Sequence, residues 1–381
     1  MAVTLARGLK DVFLDTTESS FIDGALGILL YRGYSIHDLA QQSNFNEVSY
    51  LLLHGALPNR SELAAFTQRL VDNRALPPEI IDTIRLVKNA HPIDVLRTAV
   101  SAIAAFDPEV SLDTSDPVGS RDSNICKAER LTAQFPTMVA AHHRIREGLE
   151  PVAPRRDLGH AANFLYMLEG KEPSPEAIAA MDLDFLLHAE HGANASAFAA
   201  RVTASTNSDL HSAIVTAIGT LKGPAHGGAA EVVEKMTTEI GAPSRVHDYI
   251  RAKLDRHERI MGFGHRVYKA EDPRARHMRA RAKSLGEQMG HSEWYEILTQ
   301  VEKEMVPYQA RGIFVNVDFY AGVVYALLGL PEDLFTPIFA IGRIPGWCVE
   351  ILEQFDNNIL IRPLLHYTGP KDRQYRAIDE R

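Results

Sequence analysis

Apolar residues recur every three or four positions along most of this chain, the spacing of one face of an α-helix. The exception comes first. Over residues 11–34 apolar and polar positions alternate, with Val12, Leu14, Phe21 and Ile22 before Asp23-Gly24 and Ile28 to Tyr31 after Gly27. That pattern predicts a small β-hairpin. Helices are expected after it. One is capped at Asn46, carries Val48, Leu51 and Leu52, and stops at Gly55 and Pro58; another starts at Ser61 and a third at Asp94. Residues 107–122, polar and interrupted by Pro108, Pro117 and Gly119, read as loop. Residues 124–147 read as a long helix broken or kinked at Pro136. Further helices are expected from His160 to Gly170, from Ser174-Pro175-Glu176 to His188 and His191, over 195–205, and from a cap at Ser208 to Leu221, before Gly223-Pro224.

From Ala225 the helices become shorter and more charged, at 229–240, 244–256, 273–288 and 292–306, and at 318–329 and 335–355 the chain turns strongly apolar again. The reading is all-α with a short N-terminal hairpin. A large helical domain spans 1–226 and 334–381, and a smaller helical domain, 227–333, is inserted into it, leaving a cleft between them. Lys371 to Arg381 is charged and reads as an arm or frayed tail.

Composition narrows the class. The chain has 381 residues, 45% apolar and 23% charged, as expected of a soluble globular protein. Its net charge of −9 argues against a nucleic-acid partner. Cys126 and Cys348 form no disulfide framework and lack metal-ligand spacing. The N-terminus shows no signal peptide, and no apolar run is read as long enough to span a membrane. The expectation is a reducing, cytoplasmic setting without a membrane partner.

Candidate chemistry concentrates at residues 259–274. There Gly262 and Gly264 precede His265, and Arg274 follows Asp272-Pro273, read as a cap and first helical turn. A proton donor on a tight loop beside a guanidinium suits a small anion bearing a carbonyl. His226, among Gly223, Gly227 and Gly228, stands before a helix start, which disfavours imidazolium and favours a neutral hydrogen-bond donor. Asp318, between apolar residues at a helix start, is either a simple cap or a base whose pKa burial raises. Arg343 lies in an apolar helix and needs an anion, either Glu350, Glu353 or a ligand. With Arg274 and Arg362 it would suit a dicarboxylate. The set fits proton removal next to a carbonyl followed by carbon–carbon bond formation. Residue chemistry alone does not select the substrates.

Several motifs together resemble the citrate synthase family over about residues 7–370. They are Gly223-Pro224-Ala225-His226-Gly227-Gly228, the run from Met261 to Lys269 with Asp272-Pro273-Arg274, Asn316-Val317-Asp318, His188-Ala189-Glu190-His191, Ala340-Ile341-Gly342-Arg343 and Ile361-Arg362-Pro363. The likeness is to the short bacterial and archaeal form. It implies a homodimer that condenses acetyl-CoA with oxaloacetate, with no metal or redox cofactor. It further implies Asp318 as the base, His226 as the stabiliser of the enol, and His265 as the donor to the keto group. His191, His265, Arg274 and Arg343 would bind oxaloacetate, with Arg362 supplied across the dimer. Met261, Gly262, Phe263, Gly264 and Lys269 would face coenzyme A. The nearest alternative is 2-methylcitrate synthase, which uses propionyl-CoA; a more distant one is a metalloenzyme built on His226, His265 and Asp318. Departures from the family pattern stand at Ala230, Gly342 and Leu364-Leu365.

Overall fold

The computed structural model describes residues 5–9, 12–109, 116 and 118–381, and among these sixteen α-helices and three short strands form. The strands Ser20–Asp23, Ile28–Tyr31 and Tyr34–Ser35 pair antiparallel in chain order, with Phe21 opposite Leu30. The hairpin is therefore shorter than expected, because residues 12–19 form no strand. Its middle strand buries Leu29 and Tyr31, and this fixes the register against the helical core.

Every expected helix forms, with two more at Ile36–Gln42 and Pro78–Leu86. Several starts move because a neighbouring side chain reaches the free N–H groups. Asn44, not Asn46, accepts from Glu47 N at 3.1 Å. Asn59, not Ser61, closes a capping box with Glu62. His91 caps the helix in which Asp94 sits in the first turn, and Asp209, not Ser208, accepts from Ser212 N. The expected break at Pro136 is absent: one helix runs from Arg121 to Arg146 with sixteen of its residues buried. A proline costs a helix interior about 3 kcal/mol, and packing on that scale outweighs it. The 175–188 helix stops at His188, so His191 lies just beyond it.

The Phe335–Asp356 helix is the central pillar. It packs against the 45–54, 121–146, 175–188, 195–204 and 210–221 helices and buries Trp347 completely. Against expectation, residues Glu332–Asp356 are long and apolar enough to cross a membrane, but 94% of the qualifying stretch is buried by other helices. Its hydropathy is that of a core helix wrapped on all sides. The helices Ala229–Ile240, Val246–Asp255, Ala275–Met289, Ser292–Met305 and Asp318–Leu327 pack on one another. From Asn357 the chain is irregular and largely exposed, starting earlier than the expected arm at Lys371. Cys126 is exposed and Cys348 buried; neither is in a disulfide.

Candidate active site

Two backbone seams build the loop that carries His265. Asn316 N donates to Gly262 O at 2.9 Å, Gly264 N to Phe314 O at 2.7 Å and Asp272 N to Val315 O at 3.2 Å. Asn316 Nδ2 adds a bond to Gly264 O at 3.1 Å. The strand-like stretch 314–316 leads straight into the Asp318 helix, so loop and carboxylate are positioned as one unit. On its other side the loop rests on the N-terminal hairpin, where Lys269 N donates to Gly24 O at 2.7 Å.

At His265 the backbone N–H groups of Val267 and Tyr268 donate to Nδ1 at 3.0 and 3.1 Å. Nδ1 is thus an acceptor, and the ring hydrogen sits on Nε2. Burial, then the charge of Arg274, push the pKa down to about 4, so the ring is neutral. His226 shows the opposite tautomer. Ser196 N–H donates to its Nε2 at 3.3 Å, with Ser196 Oγ at 2.8 Å, leaving the hydrogen on Nδ1. Trp347 Nε1 anchors Ser196 Oγ at 2.9 Å. The His226 pKa also falls to about 4, through burial first and then Arg343. The helix start was the expected cause of this neutrality; burial is the principal one.

His191 is buried, its ring centroid 5.1 Å from that of His265 and its Nε2 3.1 Å from the Tyr268 hydroxyl. Burial and the charges of Arg274, His265 and Arg343 hold its pKa well below the usual value. Asp318, half-buried, opens the Asp318–Leu327 helix, and among the described residues nothing is hydrogen-bonded to its carboxyl. Burial raises its pKa; His188, Arg274 and Arg343 oppose the rise. The same two arginines therefore act on His191 and on Asp318, so these groups share one electrostatic environment.

The arginines differ. The helix starts at Ala275, later than expected; Asp272 Oδ1 accepts from the Arg274 backbone N–H at 3.0 Å, as a cap does, and the same carboxyl also forks the Arg274 side chain, accepting from Nε at 3.0 Å and from Nη2 at 2.8 Å. Arg343 donates through Nε to the His188 carbonyl and stacks its guanidinium 4.7 Å above the Phe339 ring centroid. Glu350 and Glu353, its candidate partners, are taken by Arg201. Arg362 lies exposed on the C-terminal segment. Met261 and Phe263 are half-buried beside the Asp318 helix, and exposed Lys269 donates to His265 O at 3.3 Å. Among the described residues no three His, Cys, Asp or Glu side chains are placed to hold a metal ion. The sequence assigns no supporting role to Ser196, Trp347, Tyr268 or, as a fork, Asp272.

Fold and site define a class: an all-α enzyme whose candidate site gathers neutral histidines, a half-buried carboxyl and two buried arginines. The family model for citrate synthase, C-terminal domain, matches residues 8–364. Citrate synthase 2 of Bacillus subtilis is 48% identical, aligned over 100% of both chains. The 2-methylcitrate synthase of Mycobacterium tuberculosis is 43% identical over 97% of this chain and 92% of its own. A solved structure of the Thermoplasma acidophilum citrate synthase, a ternary complex with carboxymethyl coenzyme A and oxaloacetate, superposes with a TM-score of 0.92. It is 32% identical, covering 99% of this chain and all of that one. The chain belongs to the citrate synthase family.

Proposed function

We propose that this chain condenses acetyl-CoA with oxaloacetate and water to give citrate and coenzyme A. The supporting observation is the pair of neutral histidines, each fixed by backbone N–H donors in the tautomer that leaves one ring N–H free. Asp318 takes a proton from the acetyl methyl group; burial raises its affinity for that proton. His226 donates Nδ1–H to the thioester oxygen as enol character develops, without surrendering a full proton. The methyl carbon then attacks the keto carbon of oxaloacetate, and His265 delivers its Nε2 proton to the resulting alkoxide. Water hydrolyses the citryl thioester. His191, Arg274 and Arg343 hold the carboxylates of oxaloacetate.

The packed helices over 227–333 form the smaller domain that closes on substrate, and Met261 to Gly264 with Lys269 lie on its coenzyme A side. The working unit is a homodimer, and Arg362 enters the partner's site. The exposed C-terminal segment supports that arrangement, since Leu364 and Leu365 are 83% and 96% exposed. No metal or redox cofactor takes part, and the enzyme works in the cytoplasm.

The test is coenzyme A release with oxaloacetate, comparing kcat/KM for acetyl-CoA and propionyl-CoA. One added methyl group changes discrimination by about 1–3 kcal/mol. A preference for propionyl-CoA would assign the chain to 2-methylcitrate synthesis instead, and release with neither thioester would overturn both assignments.

A further inference from the structure

Gly24, in the turn between the first two strands, lays its backbone against the loop that carries His265. A Cβ placed on Gly24 would run into Val267 O and stand 2.9 Å from Val267 C. The torsions of Gly24 lie outside the left-handed region, so the loop alone excludes a side chain there. A hydrogen bond ties the approach: Lys269 N donates to Gly24 O at 2.7 Å. Three residues on, a Cβ at Gly27 would stand 2.8 Å from Glu271 O. Asp23 keeps the turn in shape, its Oδ1 accepting from Ala25 N and Leu26 N, both at 2.9 Å.

The rest of the hairpin is fastened to the segment before His191. Tyr31, fully buried, donates its hydroxyl hydrogen to Leu187 O at 3.0 Å and accepts from Glu190 N at 3.2 Å. Ser20 Oγ donates to Glu190 Oε1 at 3.1 Å. One hairpin thus grips the residue before His191 with its strands and the residues after His265 with its turn.

The peptide unit under Gly24 also touches the His265 ring. The Val267 carbonyl and the Tyr268 N–H belong to one planar trans unit and point opposite ways. The oxygen faces Gly24, and the N–H donates to His265 Nδ1 at 3.1 Å, beside the Val267 N–H at 3.0 Å. Those two donors keep hydrogen off Nδ1 and place it on Nε2. A carbon and an oxygen in contact settle at about 3.3 Å or more. A methyl group on Gly24 therefore drives the carbonyl back by about 1 Å, and the Tyr268 N–H moves with it.

We propose that Gly24 is a positioning residue for His265: the hairpin turn seats the 267–268 peptide so that its N–H holds the ring with hydrogen on Nε2, aimed at the keto oxygen of oxaloacetate. The inference rests on His265 being the donor in the proposed condensation. Gly24 itself exchanges no proton.

The test is Gly24→Ala, with Gly33→Ala as control. Gly33 lies in the next turn of the same hairpin. Its φ of +86° makes alanine costly there, but a Cβ would meet nothing within 4 Å, so the control weakens the hairpin without touching the loop. The readouts are kcat for coenzyme A release at saturating substrates and the 15N shifts of the His265 ring, assigned in histidine-labelled protein by the signals lost in His265→Gln. Gly24→Ala should lower kcat about 100-fold, the cost of misplacing a reacting group by ~1 Å, and its His265 shifts should show a mixture of tautomers. Gly33→Ala should keep kcat within about twofold and the wild-type shifts. Because Gly24 acts through His265, adding Gly24→Ala to His265→Gln should cost no more than about threefold further. A full loss of about 100-fold in that background would make Gly24 merely structural and overturn the proposal. Wild-type kcat and unmoved shifts in Gly24→Ala would overturn it as well. If Gly24→Ala fails to fold by circular dichroism, Asp23→Ala loosens the turn without added bulk. It should lower kcat several-fold, an effect that disappears in His265→Gln, and wild-type kcat in Asp23→Ala overturns the inference. His265→Gln turning over like wild type, or no coenzyme A release from the wild type, is a separate outcome that removes the role of His265 and this inference with it.

Discussion

Gly262→Ala tests whether the loop and the Asp318 helix form one mechanical unit. Gly262 has φ of +80°, in the left-handed region. A Cβ placed there would stand 2.5 Å from Phe319 Cδ2, 2.8 Å from its Cβ and 3.0 Å from its Cα. The ring atom could swing away, but the Cα belongs to the helix that Asp318 opens. The torsion costs about 1–2 kcal/mol, and forcing extra volume into a packed contact adds about 1–3 kcal/mol. Gly290 provides the control, since it has φ of +75° and a methyl group added there would meet nothing within 4 Å. Gly290→Ala should therefore lose only the torsional part. Gly262→Ala should lose more stability and should also separate His265 from Asp318, because the seam between 262–264 and 314–316 must open. A shift of about 1 Å in a reacting group lowers the rate by about 100-fold. Urea unfolding gives the first quantity, and kcat for coenzyme A release with saturating oxaloacetate gives the second. Equal stability losses in the two variants, with wild-type kcat at position 262, would refute the coupling.

Asp318→Asn should lower kcat by orders of magnitude while oxaloacetate still binds, because the base acts in the transition state; stopped-flow turnover and calorimetric Kd check it, and near-normal turnover contradicts it. Arg343→Leu should weaken oxaloacetate binding by about 1.5–3 kcal/mol, roughly 10- to 150-fold in Kd, through loss of a charge-assisted pair. For His226 the sign of the pH effect follows from a folded pKa of about 4, below the ordinary 6.5. Between those values the unfolded chain binds the extra proton, so the stability this histidine contributes falls as pH drops through that window. The stability of wild type minus that of His226→Gln should accordingly decrease from pH 7 to pH 5 in urea titrations, and a constant difference would count against a neutral buried ring.

What could be read from the chain was chemistry that lies close together in sequence. His226 among its glycines, His265 after Gly264, and Asp318 at a helix start all stand where the reading placed them. The supports were hidden because they come from far away. Ser196 reaches His226 across 30 residues and Trp347 reaches Ser196 across 151. Gly24 O receives Lys269 N from a hairpin at the other end of the chain. Asp272 was half legible: Asp-Pro before a helical pattern satisfies the local rules for a cap, and its Oδ1 does accept from the Arg274 backbone N–H, but only the fold shows that the same carboxyl forks the Arg274 side chain. Pro136 failed in the opposite direction, because tertiary burial overrode a local helix breaker.

The two buried arginines show how the site holds its charge. Arg274 is neutralised by Asp272; burial works against that guanidinium, but the paired carboxylate keeps its pKa raised. Arg343 has no such partner among the described residues. Burial pushes its pKa down to about 10, still high enough to remain charged at neutral pH. Glu190 is the acidic group with most influence on it and opposes the burial, though it makes no ion pair with the guanidinium among the described residues; burial and the charge of Glu350 raise the Glu190 pKa well above the usual carboxylate range. A buried guanidinium left with a carbonyl and an aromatic face is costly, and an arriving carboxylate removes that cost. On the proposed function, Arg274 is held in place and contributes geometry, whereas Arg343, without a carboxylate partner among the described residues, contributes affinity. Under the proposed function this asymmetry makes oxaloacetate the group that completes the site's charge balance. Substrate should then stabilise the wild-type fold by mass action far more than it stabilises Arg343→Leu.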